Sequence, residues 1–174
     1  MNAIVHDRGK APVLLADPRD DVVLEIEKIW NRLAHPRKLR SIRRSVPLCI
    51  FAASAALAES LSYMRAHEFS QVITVRDGTH VVLSTEGIAR WLEVKSKEDV
   101  IALSDTRLTD VLDFEPIDSC TYLKADDTVD RAREVFAKDI GKRLFSALVT
   151  ENGRPKETPI NIVPPWDFVT GKLL

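Results

Sequence analysis

The sequence predicts an α/β (α+β) protein: two copies of one strand, helix, strand, strand, helix unit, packed with pseudo-twofold symmetry behind an N-terminal helix. Three observations carry this prediction. The same order of patterns appears in VPLCIFAASAALAESLSYMRAHEFSQVITVRDGTHVVLSTEGIARWL and again in SCTYLKADDTVDRAREVFAKDIGKRLFSALVTENGRPKETPINIVPPWDFV. Within each copy the apolar spacing changes from the three- and four-residue steps of a helix to the runs and alternation of strands. The copies also keep register: Leu57 falls on Val129 and Met64 on Phe136 at one spacing, and Val75 falls on Val149 after a short insertion. Two units of this size in one chain imply that each covers apolar surface the other cannot bury alone.

The elements follow in order. The first residues carry Gly9, Pro12 and Pro18 among scattered charges and read as an arm ending at a helix cap, Asp17 or Asp20. From Val22 to Leu33, the residues Val23, Ile26, Ile29, Trp30 and Leu33 form a helical stripe that must be covered by something, and Pro36 ends it. Arg37 to Arg44 reads as a short basic helix with one apolar edge, Leu39 and Ile42. Val46 to Phe51 is strand-like, and Ala55 to Ala66 carries Leu57, Leu61 and Met64 at helical spacing among alanines. Val72, Ile73 and Val75 lead through Asp77-Gly78 into Val81, Val82 and Leu83, a hairpin signal. Ser84 is placed to cap a helix through Trp91 and Leu92, with Glu86 in its first turn.

Ser96 to Ser104 and Thr106 to Phe114 read as two short helices between the copies. In the second copy a helix starting at Asp126 or Asp127 bears Val129, Ala132, Val135 and Phe136, and Leu144 to Val149 is the next strand. Glu151-Asn152-Gly153 turns the chain, Ile160 to Val163 is the last strand, and Pro164-Pro165 breaks it before Trp166, Asp167 and Phe168. Trp91 and Trp166, each closing one copy, are expected to pack between copies or across a dimer. The domain reading is 1–36 for the arm and helix, 37–95 for the first repeat, and 96–174 for the connecting helices and second repeat.

Composition limits the function classes. With 25 basic against 26 acidic side chains and a net charge of −1, the chain offers no global attraction to nucleic acid or anionic lipid. Neither is expected as a partner. No apolar run approaches the roughly 20 residues needed to cross a membrane, and the N-terminus lacks a signal-peptide core. Cys49 and Cys120 stand in corresponding strands and are expected as small buried thiols, which suits a reducing, cytoplasmic setting. His6, His35, His67 and His80 are dispersed, and no His, Cys or carboxylate cluster has metal-ligand spacing. The sequence holds no nucleophile elbow, P-loop or dinucleotide fingerprint. No catalytic residue, metal or cofactor is therefore assigned, and the chain does not read as an enzyme.

The doubled unit and its closing segments, VVLSTEGI and INIVPPWDF, resemble the tandem cystathionine-β-synthase (CBS) domain pair, the Bateman module, over about Arg37 to Val169. In that family each closing segment runs glycine, two apolar residues, Thr or Ser, two variable residues and Asp. The resemblance implies that the hydroxyl and the acid hold the ribose of an adenine nucleotide. Carried over, Val81, Ser84 and Gly87 take the glycine, hydroxyl and acid positions of the first segment. Asn161, Pro164 and Asp167 take those of the second.

A carboxylate accepting from two ribose hydroxyls is the most specific polar contact such a site has, so the Asp167 cleft is the expected nucleotide site. Its other members are expected to be Pro164, Thr121 and Tyr122, then Phe145, Ser146 and Ala147, with Lys142 and Arg143 placed to meet phosphate. Leu48, Cys49 and Ser70 to Val72 are expected to accompany Ser84 in the other cleft. The implied function is regulatory and non-catalytic: energy or metabolite sensing through AMP, ADP or ATP by a homodimer. The alternative is a CBS fold without ligand that serves dimerisation or docks an unknown protein partner.

Overall fold

The computed structural model describes residues 19–97, 100–116, 118–138, 144 and 146–170. The chain divides into two compact units, Met1–Pro36 and Arg37–Leu174. The described part of the first is α1 (Asp20–Ala34) with its flanks; it has Asp20 and Asp21 in its first turn, Arg32 in its last, and no buried residue. Among the described residues of this unit nothing buries the stripe: Ile26, Trp30 and Leu33 are all more than half exposed.

The second unit holds both repeats. The first comprises α2 (Leu57–His67), β1 (Gln71–Arg76), β2 (Thr79–Ser84) and α3 (Thr85–Lys95), and α4 (Leu108–Leu112) follows in the connector. The second comprises β3 (Cys120–Lys124), α5 (Val129–Lys138), β4 (Ser146–Thr150), β5 (Asn161–Val163) and α6 (Trp166–Val169). β1 and β2 pair antiparallel from Gln71↔Ser84 to Arg76↔Thr79. The turn between them needs positive φ at both central positions, met by Asp77 (51°) and Gly78 (72°). In the second sheet β3 pairs parallel with β4, and β4 antiparallel with β5.

The repeats share this topology, but the first lacks a full opening strand. The backbone pairing of Val46 to Phe51 with β1 among the described residues is the parallel bridge Ile50↔Ile73 and the bond from the Phe51 N–H to the Ile73 carbonyl. Pro47 has no N–H to give a ladder there. Arg37 to Arg44 is likewise not a helix. It contains one 3₁₀ turn, Leu39–Ser41, because the Leu39 and Arg40 N–H groups bond to the Asp127 and Ala125 carbonyls instead of to their own preceding turn. Of Ser96 to Ser104, the described residues form turns and coil, with the Leu103 carbonyl taken by the Ala58 N–H.

Three apolar clusters hold the unit together. One under the first repeat gathers Phe51, Leu57, Leu83, Trp91, Leu108 and Leu112. One under the second gathers Leu123, Val129, Ala132 and Val149, and it includes Leu39 and Ile42 from the chain entering the first repeat. The third lies between the sheets, where Ile73 and Val82 meet Leu148 with Leu48, Tyr122 and Ile162 around them. Each large side chain buried in this way contributes roughly 1.5–3 kcal/mol. Segments of one repeat thus end inside the other's core, and this crossing positions the site.

Candidate functional site

Between the two repeats lies a cleft of about 490 Å³, walled by the 42–49 segment, the 68–73 segment and Ile162 to Asp167. Val46, Leu48, Tyr63, Phe69 and Trp166 give it apolar and aromatic faces. Its polar end is built by Pro164-Pro165, which stop β5 and start the short α6. Trp166 and Asp167 are neighbours on that helix and point apart: Trp166 is 66% exposed at the rim and Asp167 is 4% exposed. Within the chain, Trp91 packs in the first core and Trp166 does not pack between the repeats.

Asp167 is not an open carboxylate. The Arg44 guanidinium donates to its Oδ2 at 2.5 Å, to Asn161 Oδ1 at 3.0 Å, and to the Ile162 carbonyl. Asn161 in turn donates from Nδ2 to the Ile42 carbonyl at 2.9 Å. The fork geometry of Arg suits three convergent acceptors, and the partly buried ion pair is compensated by hydrogen bonds on both sides. Arg43, next in sequence, is exposed and also lines the cleft.

The closing segment of the first repeat has a corresponding arrangement with the charge inverted. The Ser84 N–H and hydroxyl donate to the Glu115 carboxylate at 2.9 to 3.0 Å, and the Ser84 Oγ accepts from the Gly87 N–H, capping α3. Glycine at 87 leaves room for this carboxylate: a Cβ there would stand 2.1 Å from Glu115 Oε2, and the carboxylate would have to move. Burial pushes the Glu115 carboxyl above its ordinary range, opposed by the bonds from Ser84 and Ser119.

The structure groups the expected residues differently from the sequence reading. Asp167 and Pro164 share their cleft with Leu48, Cys49 and Ser70 to Val72, which had been assigned to Ser84. Ser84 stands instead beside the start of β3, where the Cys120 thiol meets the Val82 backbone. Each closing segment therefore faces the opening segment of the other repeat. Thr121 and Tyr122 are not in the Asp167 cleft; the Tyr122 hydroxyl donates to the His80 carbonyl at 2.5 Å and the ring packs between the sheets. Burial raises both the Tyr122 hydroxyl and the Cys120 thiol above their ordinary pKa values. Ser146 and Ala147 are fully buried in β4, and Ser146 Oγ has no hydrogen-bond partner among the described residues. Lys142, Arg143 and Phe145 lie outside the described residues.

Arg44 and Glu115 are the members that sequence reasoning missed. Gly87 was the available signal for Glu115, because a glycine in the first turn of a helix marks a close approach. Nothing local separates Arg44 from its basic neighbours. Those neighbours are held by acids of the second repeat: Lys38 and Arg40 both bond Asp126, and Arg40 also bonds Glu151. Cys49 and Cys120 are free thiols. Among the described residues no group of three His, Cys, Asp or Glu side chains could hold a metal ion, and no helix is long and apolar enough to cross a membrane.

Neither a family model nor a curated protein sequence matches the chain. Solved structures do match. A CBS-domain-containing protein from Agrobacterium tumefaciens superposes with a TM-score of 0.55 at 15% identity, over 78% of this chain and 92% of its own. A putative signal-transduction protein with CBS domains from Burkholderia ambifaria gives 0.55 at 11% identity, over 76% and 89%. A hexameric CBS-CP12 protein from bloom-forming cyanobacteria gives 0.55 at 14%, over 78% and 70%. The fold of the chain is that of a CBS domain pair.

Proposed function

Starting from the CBS-pair fold, we propose that this protein is a non-catalytic regulatory module that binds an adenine nucleotide of the AMP, ADP or ATP class in the Asp167 cleft. The observation that carries the reading is the cleft itself: a volume of small-ligand size, apolar and aromatic walls for a base, and a buried carboxylate with two arginines at one end. The arriving ligand has to exchange partners with the ion pair. Its phosphate draws Arg44 and Arg43, and Asp167 is released to accept from the ribose hydroxyls. Arg44 connects the chain entering the first repeat to the end of the second, so this exchange alters how the repeats are held together. Binding shifts the population only as far as the nucleotide favours one arrangement over the other. The same reading takes the protein as a cytoplasmic homodimer, with free thiols Cys49 and Cys120 suited to a reducing compartment.

A second reading has its own support. Asp167 is satisfied by Arg44 and Ser84 by Glu115, so the groups that would hold ribose already have partners inside the chain. On that reading the fold serves dimerisation or protein docking without ligand. Isothermal titration with AMP, ADP, ATP and S-adenosylmethionine separates the two. Heat of binding with a micromolar dissociation constant, abolished by Asp167→Ala, supports the sensor. No heat with any of them at about 100 μM protein refutes it and leaves the ligand-free reading.

A further inference from the structure

We infer that α1 is a self-association surface, and that it pairs antiparallel with α1 of a second copy of this chain. The inference deepens the homodimer part of the reading above and uses none of its ligand part. No residue of α1 is buried, although Val22, Ile26, Ile29, Trp30 and Leu33 share one face and are 45 to 73% exposed. A stripe of this kind comes to roughly 600 Å² per copy and so roughly 1,200 Å² per pair, the lower bound of stable specific interfaces. It stands at the upper end, roughly 300–600 Å², of the largest apolar patch on a typical monomer, a size that is often functional.

The spacing specifies the partner. Val22, Ile26, Ile29 and Leu33 follow steps of four, three and four, the a/d seam of a heptad, with Ile26 and Leu33 at a and Val22 and Ile29 at d. Glu25 and Arg32 then both occupy g, and Val23 and Trp30 both occupy e. In an antiparallel pair g faces g and e faces e. Glu25 of one copy meets Arg32 of the other, twice by symmetry, and Val23 meets Trp30 on the opposite edge. The layers become Ile26 on Ile29 and Val22 on Leu33. A parallel pair sets g against e, which offers Glu25 only Trp30 and puts Asp20 and Asp21 beside their own copies. Antiparallel packing instead brings those acids to the partner's C-terminal turn, beside Arg32, and opposes the helix dipoles. The contact within α1 from Lys28 to Glu25, at 3.9 Å between exposed groups, is too loose to compete.

Sedimentation equilibrium of the full chain tests this. The wild type should dimerise, and Ile26→Asp should raise the dimer dissociation constant at least about tenfold. The circular-dichroism melt of Ile26→Asp should lose only the concentration dependence that the dimer confers and should match the wild type at protein concentrations where both are monomers, because Ile26 is 60% exposed. Glu25→Lys and Arg32→Glu should each weaken the dimer, while an equimolar mixture of the two variants recovers it through restored pairs on both edges. A wild type that is monomeric at about 100 μM overturns both the homodimer reading and this surface. A dimer whose dissociation constant ignores Ile26→Asp overturns the surface alone. Singles that weaken the dimer without recovery on mixing overturn the antiparallel register.

Discussion

Gly87→Ala should destabilise this protein, against the ordinary expectation for a helical glycine. By intrinsic propensity the change favours α3 by up to about 1 kcal/mol. The geometry opposes it: the new methyl would stand 2.1 Å from Glu115 Oε2, and Glu115 Cα is itself only 3.3 Å away, so the carboxylate has to leave. It then loses the bonds from the Ser84 N–H and hydroxyl, both near 2.9 Å. Burial penalises the ionised carboxyl by more than these bonds favour it, so escape to water relieves the carboxylate itself; the cost falls on the Ser84 N–H and hydroxyl, buried and left without their acceptor, at roughly 1–3 kcal/mol each. The net expectation is a loss of about 2 kcal/mol, or about 4–8 °C in melting temperature for a chain of this size. Urea denaturation followed by the fluorescence of Trp91, buried on the same helix, measures it. The decisive comparison is the same substitution in a Glu115→Ala background, where the obstacle is gone and Gly87→Ala should become stabilising. The reasoning is refuted if Gly87→Ala is harmless in the wild type, or if its sign does not reverse in the second background.

Arg44→Met strands the buried Asp167 carboxylate and should cost about 3 kcal/mol in chemical denaturation; adding Asp167→Asn should restore a good part of it, whereas simple additivity would show that the ion pair carries no coupling. Leu39→Ala, at a fully buried position contributed to the other repeat's core, should cost about 3 kcal/mol, and a loss well under 1 kcal/mol would mean that the entering segment is not an integral part of that core. The Glu115 carboxyl is held above its ordinary value of 4.5, so the folded state takes up its proton at higher pH than the unfolded chain. Its contribution is fully present below the unfolded value and is lost as pH rises through the folded one, so wild-type stability measured against Glu115→Gln should fall as pH is raised from about 4.5 toward neutrality; a flat or rising difference contradicts the assignment.

Local chemistry was readable in the sequence and long-range pairing was not. The Asp77-Gly78 hairpin and the Ser84 cap each depend on a few consecutive residues whose backbone preferences agree with the final structure. The repeat itself was visible because both copies reuse the same periods. The opening strand of the first repeat misled because Val46 to Phe51 has strand composition, while Pro47 and the cleft on its flank leave it a single bridge to β1. The basic segment misled in another way. Leu39 and Ile42 have helical spacing, yet their destination is the core of the second repeat, and backbone bonds to Ala125 and Asp127 set the local conformation. The site residues were grouped by copy because a linear repeat suggests that each copy is self-contained. Only the fold shows that each closing segment faces the opening of the other.

That exchange explains why the two closing segments differ. Arg44 and Glu115 stand at nearly corresponding places, each just ahead of its repeat's opening strand, and each reaches into the closing segment of the other repeat. Where the entering residue is a cation, the closing segment supplies Asp167 to meet it. Where the entering residue is Glu115, an acid at position 87 would set two carboxylates against each other, and even a methyl group does not fit; the segment supplies glycine and the Ser84 hydroxyl instead. Glycine in the first segment and Asp167 in the second thus each suit the charge of the residue that enters from the other repeat. The consequence for binding is asymmetric. If the protein binds an anionic ligand as proposed, its phosphate would give the Arg44 guanidinium an equivalent partner in place of Asp167, whereas at Glu115 it would meet a carboxylate of its own sign. On the proposed reading, a nucleotide is therefore expected to exchange partners at the Arg44–Asp167 pair and not beside Glu115.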